Sequence, residues 1–420
     1  MNIDRLGPAE IPLTPTPLPK GEGKLPRGVR EVRGFSARIS LGKFLPILLI
    51  LSALLSRAAG ASQNGCTVGK IPFGTTKDGQ AVELYTLRNT NGLTVKVMTY
   101  GAIIYSVEVP DRAGNFTNVT ANRATLDDYI ARSSAFGSLL GRYANRIAHG
   151  EFMLDGQKIV LAKNGGPNHI HGGVRGFDKR VWQAEPVSGP NAAGLKLTYT
   201  SKDGEEGYPG TLRCTVHYEL NNANEWKMEY TAQTDKPTVV NISNHAYWNL
   251  AGAQSGTMLD QVLTVNADRY LAVDNTLIPT GEYVSVEGTP LDFRTPHTVG
   301  ERIAQLRDPP FGGYDHCMVI NRHHPGELVS CAKLTDPKSG RTMEVLTTQP
   351  GVQIYSANIA NGSIEGPNGY RYPRNLGLCL ETQHFPDSPN HPDFPSTVLR
   401  PGETYHEVTI HRFGVEGGGR

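Results

Sequence analysis

The chain has 420 residues, of which 38% are hydrophobic and 19% are charged, so it has enough apolar material for a folded core. Its formal net charge is +1, which removes any electrostatic basis for binding nucleic acid or an anionic membrane surface. The 47 glycines and 29 prolines are spread along the chain, as is typical of many short strands joined by tight turns.

Residues 1–65 differ in composition from the rest of the chain. Residues 11–23 are rich in Pro and Gly and predict no regular structure. A basic stretch follows, and then the apolar run Phe44–Leu55. Its 12 residues match the core of a signal peptide and are too few to span a bilayer as a helix. The small residues Ala59-Gly60-Ala61 form a candidate cleavage site.

These features predict a secreted protein, with a cytoplasmic location as the alternative. The region before the apolar run is about 43 residues, unusually long for a signal peptide. A misplaced start codon, an uncleaved anchor and a disordered tail with a chance apolar patch therefore stay open. The chain also carries N-x-S/T sequons, which favour export weakly, at Asn115, Asn118, Asn241 and Asn361.

From about residue 80 onward, apolar and polar residues alternate with a period of two. Cys214–Leu220 and Trp226–Ala232 alternate on either side of a short polar loop, which predicts a hairpin with one buried face. Asn91-Gly92 and Asp155-Gly156 are strong hairpin-turn signals. Helices are scarce, although Thr298-Val-Gly-Glu301 predicts a capping box that opens a short helix through Leu306.

No repeat or composition break occurs between about residues 70 and 415. We therefore expect residues 66–415 to form one large all-β domain of stacked antiparallel sheets with few short helices. The five cysteines include no C-x-x-C pair, which argues against structural zinc. Their odd number leaves at least one thiol unpaired or bonded to another chain.

Several segments interrupt the alternation with dense polar residues that a fold alone does not demand. They are Gly141–Arg146, His169–Asp178, Asp203–Gly210, Asn241–Asn249, Gly313–His316, Thr347–Gln353 and Cys379–Gln383. In this order they resemble the aldose 1-epimerase (galactose mutarotase) family, and the resemblance covers roughly residues 70–414. Seven segments in order over some 240 residues form a specific signal, whereas any one of them would be weak.

The resemblance implies an antiparallel, galactose mutarotase-like supersandwich that interconverts the α and β anomers of a free aldose such as glucose or galactose. It implies no metal and no cofactor, only a small sugar as partner, and it does not define the oligomeric state. Glu381 of C-x-E-T-Q matches the catalytic base, and His245 of N-H-x-Y-x-N matches the acid. The positions that match sugar-binding residues are Asn145, Arg146, His171, Asp315 and Gln353.

The chemistry of these residues agrees with the resemblance. Opening a cyclic hemiacetal removes a proton from the C1 hydroxyl and adds one to the ring oxygen, so one base and one acid suffice. A carboxylate and an imidazole suit that pairing near neutral pH. Tyr247 or Trp248 is a candidate to stack on the C–H face of the sugar, with a place in the core as the alternative.

Three alternatives stay open from the sequence. His169 and His171 would face one side of a strand and could begin a metal site, with Asp315-His316 and His323-His324 as further ligands. A sugar-phosphate epimerase would need a cationic cluster, and Arg146 is the one basic residue that the motifs place there. A lectin-like module would not need both Glu381 and His245.

Overall fold

Short antiparallel strands are the main regular structure of residues 65–131 and 135–417, the parts of the chain that this computed structural model describes. The predicted signal segment at residues 44–61 lies outside the described residues, so the division near residue 65 stays a prediction. In these two ranges no helix is both long and apolar enough to cross a bilayer.

The strands of the first half of the described chain are short and follow one another closely. In chain order they are β1 (Thr67–Thr75), β2 (Ala81–Arg88), β3 (Thr94–Met98), β4 (Ile103–Pro110), β5 (Phe116–Asn118), β6 (Leu139–Leu140), β7 (Arg146–Ile147), β8 (Glu151–Leu154), β9 (Gln157–Val160), β10 (His169–Ile170), β11 (Gln183–Ser188), β12 (Ala192–Ser201), β13 (Leu212–Asn221), β14 (Glu225–Thr234), β15 (Thr238–Val239) and β16 (Ser243–Asn244).

The second half contributes the strands that carry Asp315, Gln353 and Glu381, three of the candidate site residues. They are β17 (Val262–Val265), β18 (Arg269–Val273), β19 (Pro279–Ser285), β20 (His297–Thr298), β21 (Asp315–Val319), β22 (Val329–Thr335), β23 (Arg341–Thr347), β24 (Gly351–Tyr355), β25 (Ile364–Glu365), β26 (Arg371–Tyr372), β27 (Cys379–Gln383), β28 (Val398–Leu399) and β29 (Tyr405–Val415).

Helical segments are few and short in the described ranges. The one α-helix is α1 (Leu126–Ala131), and the 3₁₀ turns are Ala148–Gly150, Phe177–Lys179, Glu205–Gly207, Ile303–Leu306, Pro367–Gly369 and Ser388–Asn390. The prediction of an all-β fold with few short helices is confirmed.

Three large sheets organise the strands. A nine-stranded sheet has the order β11-β12-β13-β14-β29-β23-β22-β17-β20, and two five-stranded sheets have the orders β1-β2-β3-β4-β5 and β19-β18-β21-β24-β27. One apolar cluster contains Val97 of the first small sheet, Tyr230 of the large sheet and Leu380 of the second small sheet. The inward faces of all three sheets therefore share a core, as in stacked sheets.

The predicted hairpin and turns occur where the sequence places them. β13 pairs antiparallel with β14, Leu220 lies opposite Trp226, and the burial of β13 alternates residue by residue. Asp155 and Gly156 have φ angles of 50° and 77° between the paired residues Leu154 and Gln157, as a two-residue hairpin requires.

The predicted capping box at Thr298 is wrong. Thr298 ends β20, where it pairs with Val262, and the helical turn begins only at Ile303. Glu301 does not cap a helix, because its carboxylate contacts the His297 ring nitrogen at 3.1 Å. Pairing with β17 has overridden the local capping signal.

Candidate active site

Three neighbouring strands of the second five-stranded sheet present polar side chains to one site. Glu381 of β27 lies directly opposite Gln353 of β24, and β21 pairs with the other edge of β24. Asp315 begins β21, and its Oδ1 accepts a hydrogen bond of 2.6 Å from Nε2 of Gln353. Cys317 lies opposite Gln353, and Asp315, two residues before Cys317, is on the same face of β21. Strand register therefore places the three side chains on one face of the sheet.

His245 reaches this sheet from the segment just after β16. Its backbone N–H donates to the carbonyl of Ser138 at 2.9 Å, which extends the pairing of β16 with β6. Its Nε2 then lies 3.5 Å from Oε1 of Glu381, and both side chains are buried. The imidazole stacks on the ring of Tyr247 with centroids 4.9 Å apart. The acid and base candidates therefore face each other directly.

Cys379 contacts the other nitrogen of this imidazole. Its Sγ lies 3.4 Å from Nδ1 of His245. Burial holds the pKa of the Cys379 thiol well above its usual value, so the sulfur stays protonated. The contact with Nδ1 orients the imidazole so that its other nitrogen, Nε2, faces Glu381.

Two loops close the other side of the site. Asn145 and His171 both have left-handed backbones, with φ of 60° and 52°. They are held by reciprocal hydrogen bonds, from the His171 N–H to the Asn145 carbonyl and from the Asn145 N–H to Nδ1 of His171. Arg146 follows in β7 and pairs with Ile170 of β10. The loops place the two rings His171 and His245 with centroids 5.4 Å apart.

Gly172 allows these loops to pack closely. Its φ is 84°, and a Cβ at this position would lie 1.7 Å from the carbonyl oxygen of Gly141. Any side chain would therefore push apart the loop of His171 and the loop that leads to Asn145 and Arg146. On the far side, the Asn241 side chain donates to the Ala144 carbonyl at 3.1 Å and anchors the same loop.

Burial dominates the ionisation of the central pair. The pKa of Glu381 is held well above its usual value by burial and by the neighbouring carboxylate of Asp315, while Arg146 lowers it. Burial lowers the pKa of His245 to about 4. The pair therefore holds one proton over a wide pH range, and that proton resides on Glu381 rather than on His245.

The flanking groups follow the same physics. Burial raises the pKa of Asp315, and Arg146 and Gln353 act against that rise. Burial, together with the nearby imidazole of His245, lowers the pKa of His171 well below its usual value. His171 is thus neutral, and because its Nδ1 accepts a hydrogen bond, its Nε2–H is available as a donor.

Two buried oxygens at the site have no hydrogen-bond partner among the described residues. They are Oε2 of Glu381 and Oε1 of Gln353, on neighbouring strands. Buried polar atoms are nearly always paired, so both are suited to receive hydroxyl groups of a ligand. A sugar offers such groups in excess.

The comparisons with known proteins agree with this geometry. The family model of aldose 1-epimerase matches residues 83–412. The galactose mutarotase of Homo sapiens is 42% identical over 84% of this chain and 99% of its own length. The aldose 1-epimerase of Escherichia coli (strain K12) is 37% identical over 81% of this chain and 97% of its own. The chain belongs to the aldose 1-epimerase family.

Solved structures carry the same likeness. The galactose 1-epimerase from Lactobacillus acidophilus NCFM superposes with a TM-score of 0.73, 28% identity, and coverage of 84% of this chain and 99% of that one. An aldose epimerase homologue from C. elegans gives a TM-score of 0.71 at 26% identity, over 83% and 99% of the two chains. The chain is therefore an isomerase with the fold of a mutarotase.

All the positions matched to the family lie close together in this structure. The two aromatic candidates for stacking on the sugar, Tyr247 and Trp248, differ in position. Tyr247 contacts His245 and lines a neighbouring cavity. Trp248 is fully buried against His411 and Phe413, so the structure places it in the core.

The histidines proposed as metal ligands do not form one cluster. Both ring nitrogens of His169 are engaged, Nδ1 with the Ala162 carbonyl and Nε2 with the Tyr208 hydroxyl, each at 2.6 Å. His171, His245 and Glu381 do place ligand atoms within 4.8 Å of one another. However, the Nε2 of His171 carries its proton, so that nitrogen has no lone pair for a cation.

The structure adds residues that sequence reasoning missed. One is Cys379, for which its motif predicts no role, and the other is Tyr355, whose ring centroid lies 6.1 Å from that of His245. Tyr247 and Tyr355 also line an adjoining cavity of about 600 Å³ that contains Arg123 and Arg371. No local pattern could have signalled these contacts, because each joins segments distant in the chain.

Proposed function

We propose that this mutarotase interconverts the α and β anomers of free aldohexoses such as glucose or galactose, with Glu381 as base and His245 as acid. The observation that carries the proposal is the buried contact of 3.5 Å between Nε2 of His245 and Oε1 of Glu381. A buried acid and base that share one proton are suited to two coupled proton transfers on one small substrate.

The proposed reaction needs no outside reagent. The reaction starts from the ionised form of the pair, with Glu381 a carboxylate and His245 an imidazolium. Glu381 takes the proton of the C1 hydroxyl, His245 gives its Nε2 proton to the ring oxygen and keeps the proton on Nδ1, and the C1–O5 bond breaks. Rotation about C1–C2 then exposes the other face of the carbonyl, and closure reverses both transfers. Atoms and charge balance, because Glu381 and His245 share one proton throughout. It is on His245 when the ring is closed and on Glu381 when the ring is open.

Burial favours one particular state of this cycle. When the ring is open, Glu381 has gained a proton and His245 has lost one, so the pair is neutral. The raised pKa of Glu381 and the pKa of about 4 for His245 describe that same neutral pair. We infer that the dry site stabilises the enzyme form that accompanies the open-chain sugar.

The surrounding groups are proposed to hold the sugar hydroxyls. Arg146 and the Nε2–H of His171 are donors, Asp315 is an acceptor, and Gln353 offers a free carbonyl oxygen. Tyr247 provides an aromatic face beside His245. Such groups restrict the sugar to the orientation in which C1–OH meets Glu381.

Polarimetry tests the proposal directly. Fresh α-glucose and α-galactose should each lose optical rotation faster with the purified protein than in buffer, and the variant Glu381→Gln should remove most of that acceleration. Binding of either sugar without acceleration would indicate a lectin-like module instead.

A sugar phosphate is the second candidate substrate, since the adjoining cavity supplies Arg123 and Arg371 beyond Arg146. Arg123 is fully buried over the ring of Phe136, and Glu365 lies in the same lining, so we expect the free sugar to be preferred. The ratio of kcat/KM for glucose and glucose 6-phosphate decides between them. A higher value for the phosphate would reverse the assignment.

We also infer that the chain is exported, with a mature form starting near Ser62. The support is the apolar run Phe44–Leu55 and the candidate cleavage site. Of the sequons, Asn115 and Asn361 are exposed, whereas Asn241 is fully buried and unsuited to carry a glycan in the folded protein. Expression in a glycosylating host should yield a shortened chain whose glycans disappear in the Asn115→Gln/Asn361→Gln variant. An uncleaved, unglycosylated cytosolic product would contradict export.

A further inference from the structure

A second cavity, of about 690 Å³, lies beside the loop that carries His171 but contains none of the proposed sugar-binding residues. Its lining is strongly cationic. Five basic side chains contribute to it, namely Lys77, Arg175, Lys179, Arg180 and Lys202, against the two carboxylates of Asp78 and Glu205. In a protein with a net charge of +1, this is a marked local excess of positive charge.

Both carboxylates accept hydrogen bonds from neutral donors, and Glu205 also pairs with Arg180. Asp78 accepts from the hydroxyl of Thr76 and the amide of Gln80. Glu205 accepts from the hydroxyls of Tyr199 and Ser201 at 2.7 and 2.8 Å. The two carboxylates therefore leave part of the positive charge of the five basic side chains uncompensated.

The cations divide into two groups. Arg180 pairs with Glu205 at 3.3 Å, and Lys179 pairs with the buried Asp178 at 2.5 Å. Within the described ranges, the side chains of Lys77, Arg175 and Lys202 make no ion pair and no hydrogen bond, and Arg175 acts on Asp78 only through its charge, which helps to lower the pKa of that carboxyl. Three unpaired cations from three distant chain segments therefore share the wall of one cavity.

We propose that this cavity binds a small organic phosphate ester. A phosphate group carries about −1.5 to −2 charge and matches the paired donors of an arginine. A bare phosphate ion would leave most of the volume unused, since cavities of roughly 300–1,000 Å³ hold ligands of drug size. Tyr100 and Tyr199 in the same lining offer aromatic surface for the organic part.

The position of the cavity separates it from the sugar site. Arg175, Lys179 and Arg180 belong to the loop that follows His171, and Glu206 braces this loop by accepting from the backbone N–H groups of Val174 and Arg175. The same loop thus contributes His171 to the proposed sugar site, and Arg175, Lys179 and Arg180 to the cationic cavity. The inference does not depend on the catalytic assignments.

Calorimetric titration of the full chain tests the inference. The probes are glucose 6-phosphate, ATP, inorganic phosphate and sulfate, each at low ionic strength and with saturating galactose present to occupy the sugar site. The variant Arg175→Gln/Lys202→Gln removes two unpaired cations. Arg307→Gln is the matched control, because Arg307 is exposed, does not line this cavity and makes no ion pair or side-chain hydrogen bond within the described ranges.

We expect glucose 6-phosphate or ATP to bind more tightly than inorganic phosphate or sulfate. The double variant should weaken that binding at least ~10-fold, since each charge-assisted hydrogen bond contributes about that factor, and the control should bind like the parent. Three results would overturn the inference. They are no binding of either ester up to about 10 mM, unchanged affinity in the double variant, and equal affinity for all four probes. A thermal unfolding curve verifies that the double variant is folded.

Discussion

At the scale of single residues, the site depends on a proton shared between two buried groups. Glu381 alone would be an inert buried acid, and His245 alone a neutral buried ring. Their contact at 3.5 Å lets one proton serve both, and Cys379 determines which imidazole nitrogen takes part. The reactivity that we propose is therefore a property of the pair.

Removing either member should disable the reaction. Glu381→Gln keeps the shape but removes the base, so kcat should fall at least ~100-fold while KM changes far less. His245→Asn should lower kcat by a similar factor. Because the two groups act together, the double variant should be little slower than either single one in polarimetry. Fully multiplicative losses would contradict a coupled pair.

The pH profile should reflect the shared proton. Below about pH 4 both groups are protonated, because the pKa of His245 in the free enzyme is about 4, and the base is lost. Above the raised pKa of Glu381 both are deprotonated, and the acid is lost. We expect a bell-shaped kcat/KM with its acid limb near pH 4 and its alkaline limb well above the usual range of a carboxyl group. A rate that keeps rising past about pH 9 would exclude His245 as the acid.

Cys379 provides a finer test. Cys379→Ala removes the polar partner of Nδ1 of His245, so the imidazole should hold its orientation toward Glu381 less well. We expect kcat to fall about 3- to 10-fold, the loss of one weak hydrogen bond, with KM nearly unchanged. Cys379→Ser restores a polar partner for Nδ1 and should recover part of kcat. If Cys379→Ala and Cys379→Ser lost equal activity, and the loss followed a lower unfolding free energy, the positioning role would be rejected.

At the scale of elements, the site depends on strand register and on close loop packing. β21, β24 and β27 align Asp315, Gln353 and Glu381, and a shift of one residue would turn each of them to the other face of the sheet. The loops that carry Asn145 and His171 contribute the remaining groups, and they meet at Gly172.

Gly172→Ala should therefore affect both stability and activity. The added Cβ would overlap the Gly141 carbonyl, so the loops must separate and the sugar-binding groups with them. Gly79→Ala is the matched control, since Gly79 has the same φ of 84° but open space around its Cβ position. The control should cost about 1 kcal/mol of unfolding free energy and leave kcat unchanged. Gly172→Ala should cost more and should also raise KM, measured by urea unfolding and polarimetry. Equal behaviour of both variants would refute the packing argument.

At the scale of the whole molecule, three sheets enclose one core and leave the chemistry at the edge of one of them. The five cysteines are all buried and free, so no covalent cross-link contributes to the described fold. Stability rests on the shared apolar interior, in which Trp182, Trp226 and Trp248 are among the largest fully buried side chains.

Removal of metal ions tests the site as a whole. Because the Nε2 of His171 is protonated, the three converging side chains lack a complete set of ligands, and activity should survive prolonged EDTA treatment. The measurement is the mutarotation rate before and after dialysis against chelator. A loss of activity that a divalent cation restores would show that the site holds a metal.

The sequence by itself determined the all-β fold class and the family, and it supplied the candidate site residues. Alternation and turn signals act over a few residues, so the β13–β14 hairpin and the Asp155-Gly156 turn were predictable. The capping signal at Thr298 failed because a distant strand, β17, pairs with that residue.

Only the tertiary structure decided how the candidate site residues meet and how burial shifts their pKa values. Cys379 meets His245 across 134 residues of sequence, and burial, which no local pattern reports, reverses the usual order of the pKa values of Glu381 and His245. The cationic cavity likewise joins Lys77, Arg175 and Lys202 from separate segments. Charge and desolvation depend on distances in space, and those exist only once the sheets have packed.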